Sequence, residues 1–439
     1  MVSTAGENAA VYDVRLSSVV PASITGEDKV HELSNMDLML KLHYVKGIYF
    51  FRSGAARGLT INDLKKPMFE CLALYSTLSG RIRKSEDGRP FIKCNDSGVR
   101  IAEAKCSKTL DEWLAFNDDS LNDQLIYSQF LAPDAEFTPL VFVQFTWFKC
   151  GGISIGLSWA HIVGDAFSAS HFINMWGQIL TGQVPPHHLD THNPKNRKKF
   201  PSPLAKVPLS VQRVLLESDG GHWLIPNHRK MRAHSFHVTP KQLNRLTEEA
   251  KLAKPFEVIS AVIWKSLAKT SGKAEEPKVV TLISSTWDKE NGLPSNSRVI
   301  ISTIEAAEAP PAQADLADLA RLIARKQEDE THLVERVMYQ KGSDDGESRD
   351  FILYGARLTF VNLEKMNIYG LKMSGHHQPV FASYSVSGVG DEGAVLVLPG
   401  PPPGTESGKD EGGRVINLIL PENQLDELKY RLGSEWGIH

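Results

Sequence analysis

The sequence predicts an α/β (α+β) protein of two domains, in which mixed sheets are covered by helices. Three observations support this prediction. At about 150 residues per domain, a length of 439 residues suggests more than one folded unit. Strand-like and helix-like segments alternate in a similar order in both halves. Between the halves, residues 181–222 are rich in proline and keep no period, which is typical of a long connection.

The first half begins with strands and a short helix. Residues 11–20 have the composition and alternation of a strand. Ser34 or Asn35 is expected to cap a short helix. Residues 44–51 predict a second strand, which Gly47 interrupts.

An amphipathic helix and two hairpins follow. Residues 60–78 repeat apolar side chains with the helical period, and Gly80 is expected to end this helix. Residues 81–95 predict a hairpin, and residues 137–148 form a second one with the strand that begins at residue 153. The first half is therefore predicted to contain antiparallel pairs covered by helices.

The second half repeats this order of elements. Thr239 precedes a helix with Pro240 at its first position, and residues 256–268 predict a strongly apolar helix. We expect one polar helix at roughly 314–340 and a last helix after Pro421. The predicted strands lie at residues 233–238, 278–285, 298–305, 352–361, 380–386, 394–398 and 415–420.

A histidine lies where a strand is expected to meet a helix. Residues 153–160 alternate bulky and small side chains, as a strand does. His161 follows directly, and Asp165 is placed to cap the helix that begins there. With an unperturbed pKa of about 6.5, His161 is a candidate general base near neutral pH. A packed structural histidine is the alternative interpretation, and His-x-x-x-Asp alone does not decide between them.

Other residues near this motif have simpler interpretations. The small side chains of Gly156, Ser158 and Ala160 either line a channel or pack under a helix, and packing is the commoner reason for such residues. His43 is expected to be a packed or surface side chain rather than a ligand.

The composition excludes several classes of protein. The 49 Lys and Arg residues against 52 Asp and Glu residues give a net charge of −3, which does not favour nucleic acid or an anionic membrane. Four cysteines lie far apart without the spacing of a metal site, so reduced thiols are expected. There is no basic leader and no apolar run of about 20 residues. The basic run at 195–199 is interpreted as a solvated linker cluster, with a nuclear address or a phosphate-binding patch as alternatives.

The whole chain resembles the plant BAHD acyltransferases. The residues that carry the resemblance are Leu157-Ser-Trp-Ala-His-Ile-Val-Gly-Asp165, the helix start Asp165-Ala-Phe-Ser and the apolar Ser260-Ala-Val-Ile-Trp264. The resemblance implies two domains like those of CoA-dependent acyltransferases. They would comprise residues 1–180, with His161, and residues 233–439, joined by a crossover linker at 181–232.

The resemblance also implies a mechanism. His161 would take the proton of a hydroxyl or amine acceptor as the acceptor attacks the thioester carbonyl of an acyl-CoA. Asp165 would turn away from the channel and support the histidine loop by pairing with an arginine of the second domain. No bound cofactor and no metal are implied, since acyl-CoA enters as a substrate. The family expectation is a monomer.

Two segments depart from the family pattern. The Asp-Phe-Gly-Trp-Gly signature is expected after the strand at 358–361, where the chain reads Asn367-Ile-Tyr-Gly-Leu371 and keeps no position of it. The Asp-x-Arg element corresponds to Asp288-Lys-Glu290, with Lys289 in place of the arginine. Lysine is a point charge and lacks the bidentate geometry of arginine.

One branch of the family matches in more detail, namely the eceriferum and glossy proteins of cuticular wax synthesis. The segments that carry this resemblance are Val14-Arg-Leu-Ser-Ser-Val-Val-Pro-Ala-Ser23, Met36-Asp-Leu, Lys41-Leu-His-Tyr44, Lys93-Cys-Asn-Asp-Ser-Gly98, Phe148-Lys-Cys-Gly-Gly152 and Leu358-Thr-Phe-Val-Asn-Leu363.

The branch implies that very-long-chain fatty acyl-CoA is elongated beyond the usual limit together with the β-ketoacyl-CoA synthase, the condensing enzyme of the elongase. It also implies a peripheral position on the cytosolic face of the endoplasmic reticulum, reached through that partner. A CoA-dependent acyltransferase with His161 as general base is the alternative function.

Overall fold

The computed structural model describes residues 10–116, 119–129, 137–186, 189, 207–216, 223–224, 230–251, 253–270, 276–286, 293–307, 309–325, 329–339, 350–403 and 412–439. The basic run at 195–199 and the segment Asp288-Lys-Glu290 lie outside the described residues.

The strands of the described residues are β1 Val11–Val19, β2 Val30–Glu32, β3 His43–Phe51, β4 Arg81–Lys84, β5 Pro90–Lys93, β6 Val99–Cys106, β7 Val141–Phe148, β8 Ile153–Ala160, β9 Gln212–Leu216, β10 Trp223–Leu224, β11 Met231–Val238, β12 Val279–Ser285, β13 Val299–Glu305, β14 Asp350–Ile352, β15 Leu358–Asn362, β16 Phe381–Gly388, β17 Ala394–Pro399 and β18 Arg414–Pro421. The helices are α1 Asn35–Met39, α2 Ser53–Ala56, α3 Ile61–Leu74, α4 Leu110–Ala115, α5 Ala166–Leu180, α6 Pro240–Glu249, α7 Pro255–Thr270, α8 Leu316–Ala324, α9 Thr331–Tyr339 and α10 Glu422–Arg431.

Two six-stranded mixed sheets organise the molecule, which confirms the predicted α/β class. The first has the order β1-β6-β7-β8-β3-β16, and its β6–β7 pair is parallel. The second has the order β11-β18-β17-β15-β12-β13, and β15 runs parallel to both of its neighbours. Three-stranded sheets of order β2-β5-β4 and β10-β9-β14 flank them.

One strand of the first sheet comes from the second half of the chain. β16 pairs antiparallel with β3 along its whole length, from Phe381 opposite Phe50 to Gly388 opposite His43. The predicted boundaries at residues 180 and 233 assign β16 to the second domain, so this strand crosses the predicted division.

Helices α3 and α5 cover the apolar face of the first sheet. The indole of Trp176 in α5 donates a hydrogen bond of 3.0 Å to the carbonyl of Leu64 in α3. Trp159 in β8 packs against Phe172 in α5, with ring centroids 5.7 Å apart. These contacts bury α5 almost completely, and they fix the helix that follows His161. Burial of large aromatic side chains is a major source of stability.

The caps predicted from the sequence are confirmed where the helices begin. Ser34 caps α1 and Thr239 caps α6, each with a capping box, and Pro240 occupies the first turn of α6. Thr60 caps α3 in the same way. Such caps satisfy backbone amides that have no partner inside the helix.

Several expectations about element boundaries are wrong. The helix expected at 60–78 ends at Leu74, and Ser76–Ser79 forms a separate 3₁₀ turn. β3 continues through Gly47, where a Cβ atom would lie 2.8 Å from Cζ of Tyr384 in the neighbouring strand. The expected helix at 314–340 is two helices, because the backbone of Glu330 bonds to Ile301 of edge strand β13 instead of continuing a helix.

The expected strand at 352–361 is also interrupted. It is divided between β14 and β15, and residues 353–357 form a turn. Gly355 in this turn has a φ of 78°. This left-handed conformation favours glycine and breaks a strand.

All four cysteines are free thiols, as the spacing predicts, and three of them are buried. No helix in the described part of the chain combines the length and the apolar character needed to cross a bilayer.

Candidate functional site

His161 lies at the junction predicted from the sequence. β8 ends at Ala160, and residues 161–163 form one 3₁₀ turn before α5 begins. The side chain is 2% exposed, so it lies inside the protein rather than on an open surface. Gly164 closes the turn. A Cβ atom on Gly164 would lie 2.9 Å from the backbone nitrogen of Ser295.

The imidazole of His161 has one hydrogen-bond partner among the described residues. Its Nε2 lies 3.0 Å from the phenolic oxygen of Tyr354, whereas Nδ1 has no group within hydrogen-bond geometry. Burial lowers the pKa of His161 to about 4, and its own backbone carbonyl and the Asn296 side chain partly offset this effect. The ring is therefore neutral at physiological pH.

The neutral ring carries one proton, which we assign to Nδ1. This assignment makes Nε2 the acceptor in its contact with the Tyr354 hydroxyl. Nε2 then offers its lone pair, and the hydroxyl of Tyr354 donates to it. Burial and the charge of Asp165 raise the pKa of Tyr354, so the phenol keeps its proton.

One side-chain amide of the second half holds the backbone of His161 and the start of α1 together. Asn296 Nδ2 donates to the His161 carbonyl oxygen at 2.7 Å and to Asp37 Oδ1 at 2.9 Å. Asp37 also belongs to the capping box of α1. Sequence reasoning missed Asn296, since a lone asparagine before a strand carries no signal of a partner so distant in the chain.

Asp165 caps α5, as the sequence predicts. Its Oδ1 accepts hydrogen bonds of 2.9 Å from both the backbone amide and the hydroxyl of Ser168, which caps α5. Burial raises the pKa of Asp165, and Ser168, Ser285 and the charge of Arg298 act against this effect. Arg298, from the second half, is therefore a basic group that acts on Asp165; the expected partner Lys289 lies outside the described residues.

A second buried histidine lies on the other side of Tyr354. The ring of His43 meets the ring of Tyr354 edge-on, with centroids 5.0 Å apart. Burial and the neighbouring His161 lower the pKa of His43 to about 3, and the backbone of Val389 partly offsets this effect. His43 is packed, as the sequence predicted, but it is packed within the site.

Sequence reasoning missed Tyr354, the residue between the two histidines. It lies in the turn between β14 and β15, inside the run that we interpreted as one strand. Gly355 directly after it was the available signal, because glycine within a strand pattern often marks a break or a close approach of two backbones.

The small face of β8 is explained by packing. A Cβ atom on Gly156 would lie 2.0 Å from the carbonyl oxygen of Leu125, in the segment that covers this face. Ser158 and Ala160 are also buried. The side chains are small because another backbone lies directly against the strand.

The segment that replaces the family signature packs against α5. The carbonyl of Asn367 accepts hydrogen bonds from Ser170 and Asn174 of that helix. Ile368 and Leu371 are completely buried, and Leu371 fills the space beside Gly177. This segment therefore holds the helix that follows His161.

A cleft of about 570 Å³, open solvent included, lies between the two sheets. Its lining includes an ion pair of 2.8 Å between Lys46 and Asp123, together with His234 and Asn417. The lining does not reach His161.

Comparison with known proteins identifies relatives along the whole chain. Residues 11–432 match the family described as the Transferase family. Protein ECERIFERUM 2 of Arabidopsis thaliana is 37% identical, with 96% of this chain and 98% of that protein covered. Protein ECERIFERUM 26-like of the same plant is 36% identical, with 96% and 95% covered.

A solved structure shows the same fold. The crystal structure of vinorine synthase matches with a TM-score of 0.71 and 18% sequence identity, and it covers 97% of this chain and 98% of the other.

Proposed function

The chain belongs to the Transferase family, the plant BAHD proteins, and we propose that it promotes the elongation of very-long-chain fatty acyl-CoA in cuticular wax synthesis. It would act together with the β-ketoacyl-CoA synthase that condenses the growing chain, as a binding partner on the cytosolic face of the endoplasmic reticulum. Acyl-CoA is the substrate of that complex.

Similarity to the two ECERIFERUM proteins supports this proposal. Both align with nearly the whole chain, so the similarity includes the site and both sheets. The alignment with hydroxycinnamoyltransferase of Narcissus pseudonarcissus covers 35% of this chain. The proposal therefore follows the relatives that match from end to end.

The observation that carries the proposal is the environment of His161. A general base must lie within hydrogen-bond reach of the proton that it removes. Here Nε2, the atom that would take this proton, is already bonded to Tyr354, and the ring is buried. A function through binding is compatible with this arrangement, since it needs no free base.

A CoA-dependent acyltransferase is the second candidate function. A buried, neutral imidazole whose Nε2 is the acceptor nitrogen, as assigned above, is suited to take a proton from a hydroxyl or amine. The acceptor would form a C–O or C–N bond with the acyl carbon, the C–S bond would break, and His161 would pass the proton to the CoA thiolate. Tyr354 must first leave Nε2 for this reaction to begin.

The test is the acyl-chain output of a yeast strain that carries the plant condensing enzyme. The strain would express the wild type, His161→Ala or, as a matched control, a replacement of the exposed His376 by alanine, at equal protein levels. We expect longer acyl chains with all three. Loss of extension in His161→Ala alone, with the variant folded and still bound to the condensing enzyme, would favour the acyltransferase.

A further inference from the structure

We propose that Tyr354 permanently occupies the position of an acyl acceptor on His161, and so excludes hydroxyl and amine acceptors from the base. Tyr354 then determines specificity, because it blocks acyl transfer to hydroxyl and amine acceptors. The inference deepens the proposed function, and its consequence for elongation depends on that function; the occupancy itself depends on the contact between Tyr354 and Nε2 and on the assigned tautomer.

A phenol presents the same group to the imidazole as an alcohol acceptor does. In the assigned tautomer its O–H donates to Nε2, and the two atoms lie 3.0 Å apart, within the reach that an acceptor hydroxyl needs for proton transfer. One lone pair accepts one such bond. While Tyr354 is in place, an alcohol, an amine or water cannot reach Nε2.

The turn that holds Tyr354 is anchored on both sides. Before it, the carboxylate of Asp350, which is 1% exposed, lies 2.6 Å from Nζ of Lys41. Breaking a buried ion pair of this kind is strongly unfavourable. Ile352 packs in a small apolar cluster with Leu42 and Val214.

After Tyr354, the backbone is packed closely against another segment. Gly355 has a left-handed conformation and lies so close to Gly390 that a Cβ atom would come within 1.8 Å of the Gly390 carbonyl oxygen. The rings of His43 and Tyr354 pack in a T-shaped arrangement. Tyr354 is thus held in place by several packed groups, and we infer a fixed plug rather than a lid.

The plug has a chemical consequence for acyl-CoA. Transfer of the acyl group requires an acceptor O–H or N–H on Nε2, from which a proton passes to the leaving CoA thiolate as the C–S bond breaks. With that position filled, His161 cannot promote thioester cleavage by a hydroxyl, an amine or water. An acyl-CoA handled by this protein would keep its thioester for further rounds of condensation.

Chemical modification of the full-length protein tests the occupancy. Diethyl pyrocarbonate acylates a neutral imidazole at a free nitrogen, and peptide mass spectrometry locates the product. In the wild type we expect modification of the exposed His376 and protection of His161. In Tyr354→Ala, with folding checked by circular dichroism, we expect a gain of modification at His161.

Two outcomes would overturn the proposal. Modification of wild-type His161 as fast as that of His376 would show that Nε2 is free. Continued protection of His161 in Tyr354→Ala would show that another group fills the position.

A variant that keeps the ring makes the test independent of the folding of Tyr354→Ala. Tyr354→Phe removes only the hydroxyl, and ¹⁵N NMR of histidine-labelled protein reports the hydrogen bond at Nε2. We expect the Nε2 resonance of His161 to move toward that of an unbonded imidazole nitrogen. An unchanged resonance would exclude Tyr354 as the partner.

These readouts are separate from elongation. Loss of chain extension in His161→Ala would overturn the proposed partner function and leave the modification result intact. A reactive wild-type His161 would overturn the plug and leave the elongation result intact.

Discussion

The side-chain amide of Asn296 donates a hydrogen bond of 2.7 Å to the backbone carbonyl of His161, across 135 residues of sequence. The same nitrogen donates to Asp37, so a single amide joins the histidine turn to the start of α1. All three residues are buried. This contact explains how the turn is held although the imidazole bonds to Tyr354 alone among the described residues.

Asn296→Ala should therefore destabilise the protein. The His161 carbonyl and Asp37 Oδ1 would each lose a donor inside the protein, at a combined cost of about 2–4 kcal/mol in the free energy of unfolding. Urea denaturation measures this change. Ser297→Ala, at an exposed neighbour, is the control and should stay near the wild type; equal stability of the two variants would contradict the role of Asn296.

Asp165→Ala and Asp165→Asn should differ in their effects. Alanine removes the cap of α5 and should cost about 1–2 kcal/mol. Asparagine keeps an oxygen that can accept the Ser168 bonds and removes a charge whose burial is unfavourable, so its cost should be smaller. Thermal unfolding of both variants checks this order. If asparagine is as damaging as alanine, the charge, and hence Arg298, matters more than the cap.

Two substitutions two residues apart in β8 should differ in their effect on stability. Gly156→Ala would place a Cβ atom 2.0 Å from the Leu125 carbonyl oxygen, so we expect a loss of stability of about 1–3 kcal/mol or more. Ser158→Ala removes a buried hydroxyl that has no hydrogen-bond partner among the described residues, so stability should be unchanged or higher. A tolerated Gly156→Ala in chemical denaturation would show that residues 125–126 can move away from the strand.

Acid should destabilise the fold through the two buried histidines. The unfolded chain protonates them near pH 6.5, whereas the folded protein holds the pKa of His161 at about 4 and of His43 at about 3. Between these values the unfolded state binds more protons, so the free energy of unfolding falls as the pH falls. Asp391 acts in the opposite direction, because burial raises its pKa to about 6 and the folded state protonates it first.

A comparison of variants isolates the contribution of His43 to the pH dependence of the unfolding free energy. The slope of unfolding free energy against pH from 6.5 to 4 should be shallower in His43→Asn than in the wild type, whatever the stability of the variant at pH 7. Ser297→Ala, which removes no titratable group, should keep the wild-type slope. A slope unchanged in His43→Asn would mean that this imidazole is already charged in the folded protein.

Free CoA should bind weakly. Residues 367–371 keep no position of the family signature, and their backbone and side chains are engaged with α5. Isothermal titration calorimetry with CoA, against buffer dilution as the control, checks this expectation. A micromolar dissociation constant, about −8 kcal/mol of binding free energy, would contradict the proposed partner function and favour the acyltransferase.

Local features of the site were predictable from the sequence and long-range ones were not. The alternation at 153–160 and the cap at Asp165 depend on neighbouring residues, so the strand, the turn and α5 follow from the sequence. Tyr354 and Asn296 reach His161 through tertiary contacts, which leave no periodic signal. β16 was predicted as a strand, yet nothing in its composition specifies which sheet it joins.

The pairing of β16 with β3 has a consequence during protein synthesis. Tyr49 and Tyr384, whose hydroxyls lie 2.5 Å apart across these strands, are separated by 335 residues. All nine residues of β3 are buried in the finished protein. The ribosome releases Tyr384 335 residues after Tyr49, so the nascent chain carries an open strand edge while those residues are made. Such an edge is prone to aggregate, and its protection by chaperones should therefore limit how much functional protein a cell obtains.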